Sequence, residues 1–305
     1  MEFALPRRLH VLAVQAAPHA IGAPFAAFAE EARAALAAHP ETDLLIFPEL
    51  HLFHPTTGAL ASDNAAIAAA AIALDGALDR QLAALAAELG VCLLPGTLAE
   101  AGPAGAVFNT ARVYGPDGTV LATYRKVFPW RPTEPYTPGA DWVVFDLPSR
   151  DGAALRVGLT ICYDAWFPEA TRQVAWLGAE LVLNLVKTTT PDRAQELVLA
   201  RANAIVNQCF MVSLNCAGPV GRGQSLIADP EGWVIAEAGA EPVLLPVTLD
   251  LDQVSEVRAA GTCGENRMWS QFHAGEPAIA LPAYAGRIDP ADWNPAPRLS
   301  QKADA

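Results

Sequence analysis

The sequence predicts an α/β fold, arranged as a four-layer αββα sandwich of two mixed β-sheets with helices on the outside. Short apolar runs with strand character alternate with longer Ala-rich runs of helical composition along the 305 residues. Turn signals join some of the strands into hairpins, and the second hairpin repeats the chemistry of the first, which indicates two similar halves. Strands that alternate with helices and also form hairpins are typical of a mixed sheet.

The first half of the chain is predicted to form strands at residues 9–15, 44–47 and 91–94 and helices at residues 24–39 and 64–89. Gly90 follows the second helix and suits the left-handed position that ends a helix. Residues 108–113 and 120–125 are predicted strands. They flank Gly115-Pro116-Asp117-Gly118, a turn sequence that predicts a β-hairpin.

The second half is predicted to form strands at residues 155–161, 181–185 and 210–214 and helices at residues 168–177 and 194–208. Residues 225–228 and 233–236 form a second hairpin around Asp229-Pro230-Glu231-Gly232. No linker rich in Pro, Gly and Ser divides the chain before about residue 280, so we expect residues 1–280 to form one domain. The composition of residues 281–305 predicts a C-terminal arm or tail.

The composition excludes several classes of partner. The chain has 20 Lys and Arg against 33 Asp and Glu, and this net charge of −13 would repel nucleic acid and anionic membranes. No apolar run of about twenty residues predicts a membrane span, and the apolar stretch near the N-terminus is too short for a signal peptide. Five cysteines, an odd number, indicate free thiols in a reducing compartment. We therefore expect a cytoplasmic protein that acts on a small molecule.

Cys162 is a candidate nucleophile. It follows the predicted strand at residues 155–161, shortly before a helix that begins near Pro168, a residue suited to the first helical turn. Backbone N–H groups at such a strand-to-helix turn favour a thiolate and any oxyanion beside it. Position alone leaves open the alternative of a small buried hydrophobe, the commonest role of a free cysteine.

Two charged residues end other apolar strands in a similar way. Glu49 follows the strand at residues 44–47, where a buried carboxylate could act as a general base, and Lys126 closes the strand at residues 120–125, where an ammonium could stabilise an oxyanion. In an open α/β sheet, such strand ends share one edge, at which ligands bind. His51 and His54 are three residues apart, but no third ligand has a useful spacing, so we expect no metal.

Five sequence blocks occur in order along the chain: Phe47-Pro48-Glu49-Leu50; Tyr124-Arg125-Lys126; residues 161–169 around Cys162; Arg201-Ala202 with Asn207-Gln208; and residues 223–232. Together they resemble the nitrilase superfamily of carbon–nitrogen hydrolases, over about residues 9 to 240. The resemblance implies the αββα sandwich, a Glu–Lys–Cys triad, and pairing into a homodimer or higher homo-oligomer.

The resemblance also implies a role for each member of the triad. Glu49 would take the thiol proton and Cys162 would attack the amide carbon. Lys126, with the Tyr163 backbone N–H, would stabilise the oxyanion. The resulting thioester would release ammonia or an amine and would then be hydrolysed by water that Glu49 activates. This chemistry needs no metal and no organic cofactor.

Further site residues are expected around this triad. Glu134 lies after the lysine and ahead of Pro138-Gly139, the position of an additional glutamate in the family, and would orient Lys126 or the substrate nitrogen. The residues predicted to contact the substrate are Tyr163, Trp166, Lys187 and Tyr136.

The chain departs from the family pattern in places. Val127 stands where many relatives have His, and Val206 stands where many have Glu in a helix that faces the dimer partner. The segment from Lys187 to Pro191 has an unusual basic and hydroxyl character for a strand end near the site. Either Thr190 caps a helix before Pro191, or the segment selects the substrate.

The residues after the nucleophile favour one reaction over others. Nitrile-cleaving relatives show Cys-Trp-Glu, whereas Cys162-Tyr163-Asp164 resembles amidases and carbamoylases. We therefore expect hydrolysis of a small linear amide, with an N-carbamoyl compound as the alternative and a nitrile third. Acyl transfer to an amine is less favoured because acyltransferase relatives have transmembrane helices. A non-catalytic scaffold is disfavoured by the intact triad.

Overall fold

A computed structural model of the protein describes residues 7–56, 58–148, 154–281 and 286–288. Its strands are β1 (Arg8–Gln15), β2 (Leu44–Ile46), β3 (Cys92–Leu94), β4 (Thr97–Ala101), β5 (Val107–Tyr114), β6 (Val120–Arg125), β7 (Val144–Pro148), β8 (Ala154–Ile161), β9 (Leu181–Val186), β10 (Phe210–Asn215), β11 (Leu226–Ala228), β12 (Val234–Glu237), β13 (Val243–Asp250), β14 (Ile279–Leu281) and β15 (Gly286–Ile288). Its helices are α1 (Phe25–Ala38), α2 (Leu60–Ala69), α3 (Ala77–Leu89), α4 (Pro168–Trp176), α5 (Arg193–Asn207) and α6 (Asp252–Ala260).

The strands form two mixed sheets and one short ribbon. The first sheet runs in the order β13-β1-β2-β3-β5-β4, with β6 also paired to β5, and the second runs β12-β11-β10-β9-β8-β7. The parallel pairs lie in the middle of each sheet. In the first sheet, β2 pairs in parallel with both β1 and β3, and in the second sheet, β9 pairs in parallel with both β8 and β10. Strands β14 and β15 pair with each other, and among the described strands they have no other partner.

Three hydrophobic clusters separate four layers. Side chains from the facing sides of both sheets, such as Val11 and Leu183, form the largest cluster. The other side of the first sheet packs on α1 and α3 through residues such as Phe28 and Leu82. The other side of the second sheet packs on α4 and α5, with Val174 and Ala204 in the contact. The predicted αββα sandwich is therefore confirmed.

Several elements differ from the sequence prediction. The single helix expected at residues 64–89 is two helices, α2 and α3, because Asp75 has a positive φ of 64° and Gly76 precedes α3. Gly90 ends α3 in the left-handed conformation, as predicted. Six of the described strands and helices were not predicted: β4, β7, β13, β14, β15 and α6.

The predicted division of the chain is not settled by these elements. The boundary between residues 280 and 281 falls within β14, and residues 282–285 and 289–305 of the expected arm lie outside the described residues. The division therefore stays a prediction. Among the described residues, none of the helices has both the length and the apolar character needed to cross a membrane.

Candidate active site

Glu49 lies on a tight turn directly after β2. The next residue, Leu50, has a positive φ of 50°, and its backbone N–H donates to Thr97 Oγ1 at 2.9 Å. Gly96 approaches the turn so closely that a Cβ there would stand 2.1 Å from the Pro48 carbonyl oxygen, so only glycine fits. This packing holds Glu49 in the interior, where it is 1% exposed.

Two donors bind one oxygen of the Glu49 carboxylate. Asn109 Nδ2 donates to Glu49 Oε1 at 2.7 Å, and Lys126 Nζ donates to the same oxygen at 3.2 Å. No described residue hydrogen-bonds to Oε2 of this carboxylate. Because its partner oxygen is held in place by both bonds, Oε2 is free to accept a proton from another group.

Lys126 directly follows β6 and is fully buried. Its backbone N–H donates to the Asn109 carbonyl oxygen at 2.9 Å. Its Nζ also donates to the two carboxylate oxygens of Glu134, at 3.0 and 2.8 Å, so a single ammonium bridges Glu49 and Glu134. Burial alone would lower the pKa of this ammonium, but attraction to the acidic groups around it, Glu49 first, raises the pKa well above its usual value.

Glu134 joins this group from the loop after Lys126. Its Oε2 accepts the Trp130 backbone N–H at 2.8 Å in addition to the lysine. Burial raises the pKa of the Glu134 carboxyl group, and the positive charge of Lys126 opposes that rise. Glu134 thus holds the Lys126 ammonium through both of its oxygens, and its role in orienting Lys126 or the substrate nitrogen stays a prediction.

Cys162 begins a single 3₁₀ turn, Cys162–Trp166, that directly follows β8. Its φ is 48°, in the left-handed region that favours glycine. Such a conformation costs a non-glycine residue about 1–3 kcal/mol, and it persists only where the surrounding structure enforces it. Strained positions of this kind cluster at active sites, and this one aims a thiol from the end of a buried strand.

The environment of the thiol favours its protonated form. Burial raises the pKa of Cys162 well above that of an ordinary thiol, the negative charge of Glu49 raises it further, and Lys126 only partly opposes them. This direction runs against the expectation that the strand-to-helix turn favours a thiolate. The thiol needs a base that removes its proton as it attacks.

Asp164 fastens the nucleophile turn to the strand that carries Lys126. Its Oδ2 accepts the Tyr124 hydroxyl at 2.7 Å and the Ile161 backbone N–H at 2.9 Å. Its Oδ1 accepts the Phe128 backbone N–H at 2.8 Å. Burial raises the pKa of the Asp164 carboxyl group, with Lys126 opposing. One fully buried carboxylate thus links β8, β6 and the loop beyond β6.

The candidate residues meet between two sheets and do not share the edge of one. Glu49 and Lys126 follow strands β2 and β6 of the first sheet, whereas Cys162 follows β8 of the second sheet. The charges of Glu49 and Lys126 act directly on the Cys162 thiol across the interface. The residues were predicted to lie together, and they do, but the expected single-sheet edge was wrong because the two sheets face each other.

Two of the aromatic residues predicted to contact the substrate lie on the nucleophile turn, and the third lies near the site carboxylates. The Tyr163 and Trp166 rings lie 5.9 Å apart on this turn, and both side chains are partly exposed. Trp166 Nε1 is buried and has no hydrogen-bond partner among the described residues. Tyr136 is buried in the cluster between the first sheet and its helices, and the negative charges of Glu134 and Glu49 reach its hydroxyl.

Lys187 follows β9 at the same end as the nucleophile. Strand β8 pairs in parallel with β9 so that Ile161 lies opposite Leu185, and Cys162 and Lys187 therefore follow neighbouring strand ends. Burial lowers the pKa of the Lys187 ammonium, with Cys216 and the site carboxylates opposing. Within the described chain this ammonium makes no hydrogen bond or ion pair.

The structure tests one of the two alternatives for the segment from Lys187 to Pro191, namely that Thr190 caps the next helix. Helix α5 begins at Arg193, and the residue before it is Asp192. Thr190 Oγ1 donates to the Asp192 carboxylate and does not cap the helix, so the capping alternative is wrong. Thr188 is held instead by Glu196 of α5, whose carboxylate accepts its hydroxyl at 2.7 Å.

Sequence reasoning did not single out two buried polar residues of the site, Asn109 and Asp164. Asn109 lies inside a predicted strand, and the only signal in the sequence was an amide side chain within that strand. The structure shows that the amide is fully buried. Its partner Glu49 is 60 positions away in sequence. The partners of Asp164 on β6 are likewise distant, so no local spacing reveals either contact.

A comparison with protein-family models identifies the family to which this sequence belongs. The family model for carbon-nitrogen hydrolases matches residues 11–259. The chain belongs to the carbon-nitrogen hydrolase family. As a member of that family, within the nitrilase superfamily, it is a hydrolase that acts on carbon–nitrogen bonds.

Individual relatives agree with this assignment. The chain is 32% identical to human omega-amidase NIT2 over 202 residues, covering 61% of this chain and 71% of the relative. The fold matches that of Saccharomyces cerevisiae Nit3, a member of branch 10 of the nitrilase superfamily, with a TM-score of 0.71 and 24% identity over 83% of this chain and 94% of Nit3.

An amidase is also similar to this carbon-nitrogen hydrolase. A mutant of the amidase from Nesterenkonia sp. AN1, in complex with butyramide, has a TM-score of 0.66 and 25% identity over 82% of this chain and 94% of the amidase. Another structure of that amidase shows covalent addition of an acetamide moiety at the active-site cysteine. These relatives identify the chain as an amide-cleaving hydrolase with an active-site cysteine.

Proposed function

We propose that this chain hydrolyses small linear amides through a thioester on Cys162. Glu49 Oε2 takes the thiol proton as sulfur attacks the amide carbon, and Lys126, with the Tyr163 backbone N–H, stabilises the oxyanion. The tetrahedral intermediate collapses, the C–N bond breaks, and the proton on Glu49 passes to the departing nitrogen. The products of this half-reaction are the thioester and ammonia or an amine.

The second half-reaction uses the same groups. Glu49 takes a proton from a water molecule that attacks the thioester, and the oxyanion is again stabilised by Lys126. Collapse of this intermediate releases the carboxylic acid, and the proton returns to the Cys162 sulfur. Glu134 positions the ammonium throughout, since it accepts two of the bonds from Lys126 Nζ.

The observation that carries the proposal is the single buried ammonium that bridges two carboxylates beside the thiol. With Glu49 and Glu134 both held by Lys126, the cation is fixed before substrate arrives and needs no reorganisation during the reaction. The raised pKa of Cys162 explains why a base is built into the same cluster. The butyramide complex and the covalent adduct of the similar amidase support the same chemistry here.

Lys187 adds a preference among amides to this proposal. Its ammonium follows the strand next to the nucleophile strand and has no partner among the described residues. We propose that it pairs with a carboxylate at the far end of the substrate, which makes monoamides of short dicarboxylic acids the preferred class. The omega-amidase relative supports this class. Tyr163, Trp166 and Tyr136 are proposed to line the remainder of the substrate site.

The proposed assembly is a homodimer in the cytoplasm. An apolar surface covers the exposed side of α5 and the start of β12: Val198, Ile205, Val206, Trp233, Val234 and Ile235 are all more than a third exposed. A Cβ at Gly232 would lie 2.3 Å from Ile205, so the hairpin rests directly on the helix and the surface is continuous. Apolar surfaces of this kind mark association sites, and light scattering after size exclusion tests the assembly.

A panel of substrates tests the proposed reaction. Release of ammonia is measured with short aliphatic amides, with monoamides of dicarboxylic acids, with N-carbamoyl amines and with nitriles. We expect the amides to react fastest, Cys162→Ala to abolish turnover, and the control Cys209→Ala, at a buried cysteine remote from the site carboxylates, to keep it. Lys187→Met should lower kcat/KM for the acidic monoamides only. Ammonia from none of these compounds would contradict the proposal.

A further inference from the structure

A second cluster of titratable residues lies beyond the active-site group. His19 Nε2 lies 2.8 Å from Glu31 Oε2, and His51 Nε2 lies 2.9 Å from the same oxygen. The three ligand atoms are all within 4.8 Å of one another. The sequence offered only His51 and His54 as candidate metal ligands, without a third, and no metal was expected; the structure brings His51 to two residues that are far from it in sequence.

The three residues come from separate segments. Glu31 lies on α1, His19 lies in the loop before that helix, and His51 lies on the turn that carries Glu49. The His19 backbone N–H donates to the His51 carbonyl oxygen at 2.7 Å, and the ring centroids of the two histidines are 5.1 Å apart. A hydrogen-bonded backbone therefore holds both imidazoles against one carboxylate.

We propose that His19, Glu31 and His51 bind one Zn²⁺ ion per chain. Two imidazole nitrogens and one carboxylate oxygen are a donor set that zinc takes in proteins, with a fourth position left for water. Ligand atoms bound to zinc at about 2.0–2.2 Å lie a little over 3 Å apart in a tetrahedron, so these atoms need to separate only slightly.

The environment provides the charge and the access that the ion needs. Burial alone would raise the pKa of Glu31, but hydrogen bonds from the two histidines lower it to about 2, so the carboxylate is anionic. Burial lowers the pKa of His51, which favours the neutral imidazole that a metal needs. For Nε2 to bind zinc, the ring proton has to sit on Nδ1, and the Nε2 bond to Glu31 is then replaced by the bond to the metal. His19 and Glu31 are partly exposed, and His19 lines a cavity of about 200 Å³ from which an ion and its water can enter.

The ion would link α1 and the loop before it to the turn that carries the catalytic base. His51 is two residues after Glu49, and its ring packs 4.9 Å from that of Phe47 on the same turn. Zinc at this place would act as a clamp on the Glu49 turn, distinct from the reacting groups. It would stabilise the folded chain because it binds the folded state in preference to the unfolded one.

Metal content and spectroscopy test the proposal on the full-length chain. After incubation with Zn²⁺ and dialysis, we expect one zinc per chain and a raised Tm. Co²⁺ in its place should give the d–d bands of a tetrahedral site without a thiolate charge-transfer band. Glu31→Gln and His19→Gln should each weaken zinc binding at least about 100-fold, because each removes a direct ligand and loss of even an indirect one costs 10–100-fold.

Two control variants separate this site from others. His39→Gln alters another His–Glu pair, 3.5 Å from Glu41, and should leave binding unchanged. Cys162→Ala should also keep the zinc. Absence of stoichiometric zinc in the wild-type chain would overturn the proposal, as would binding that survives Glu31→Gln and His19→Gln or that disappears in Cys162→Ala. Circular dichroism of the metal-free variants shows whether they are folded.

Discussion

Replacement of Asn109 by leucine tests how the base is positioned. Asn109 Nδ2 donates to Glu49 Oε1 at 2.7 Å within the buried site, and its Oδ1 is buried without a partner among the described residues. Leucine has a similar shape and removes the donor. A hydrogen bond to a charged group contributes about 1.5–3 kcal/mol, which corresponds to a loss of roughly 10- to 150-fold.

We expect Asn109→Leu to lower kcat/KM for an amide by that factor, because the Glu49 carboxylate is then held by Lys126 alone. The neighbouring residue on β5 provides a matched control. Thr110 donates through its hydroxyl to Glu100 Oε2 at 2.6 Å, so Thr110→Val also removes a buried bond to a carboxylate in the same sheet. This control should lose stability but retain activity.

Steady-state ammonia release and urea unfolding of both variants provide the two readouts. A value of kcat/KM for Asn109→Leu within about twofold of wild type would refute the argument that this bond positions the base. Equal losses of activity in Asn109→Leu and Thr110→Val would refute it as well, since a general loss of stability would then explain both.

Three further predictions concern the same cluster. Lys126→Met should abolish activity and lower the free energy of unfolding by roughly 3–5 kcal/mol, because Glu49 and Glu134 lose a shared buried cation. A variant that is as stable as wild type in urea unfolding would contradict this. Tyr124→Phe should cost about 1.5–3 kcal/mol in the same assay through the lost bond to Asp164, and no change would mean that this bond is not stabilising. Labelling of Cys162 by a small neutral thiol reagent, followed by peptide mass mapping, should accelerate about tenfold per pH unit up to pH 9, because the thiolate forms only as the pH approaches the raised pKa. A labelling rate that reaches a plateau near pH 7 would argue against a raised pKa of this thiol.

The sequence was most informative where structure follows from local pattern. Strands β8, β9 and β10 are mostly apolar, as buried parallel strands are, and their bounds were predicted within one residue. Strand β13 was missed because its burial alternates irregularly and it contains Pro246, and because it is defined by antiparallel pairing with β1 at the other end of the chain. Long-range pairing of this kind leaves no local signal.

The same distinction holds in the site. Glu49, Lys126 and Cys162 could be selected because each follows an apolar strand and lies in a family motif. The contact of Asn109 with Glu49 could not be predicted, since it depends on the register between strands that are far apart in sequence. The cluster of His19, Glu31 and His51 was missed for the same reason: its members come from separate segments, and local spacing offered only His51 and His54, for which no third ligand was found.

The mass of Cys162 during turnover tests the central claim most directly. The wild-type chain is mixed with butyramide, quenched in acid within the first turnovers, and digested for peptide mass analysis. The thioester mechanism predicts a butyryl group on the peptide that contains Cys162 and on no other cysteine. Ammonia release without an acyl group on Cys162, or with one on Cys216, would contradict the account.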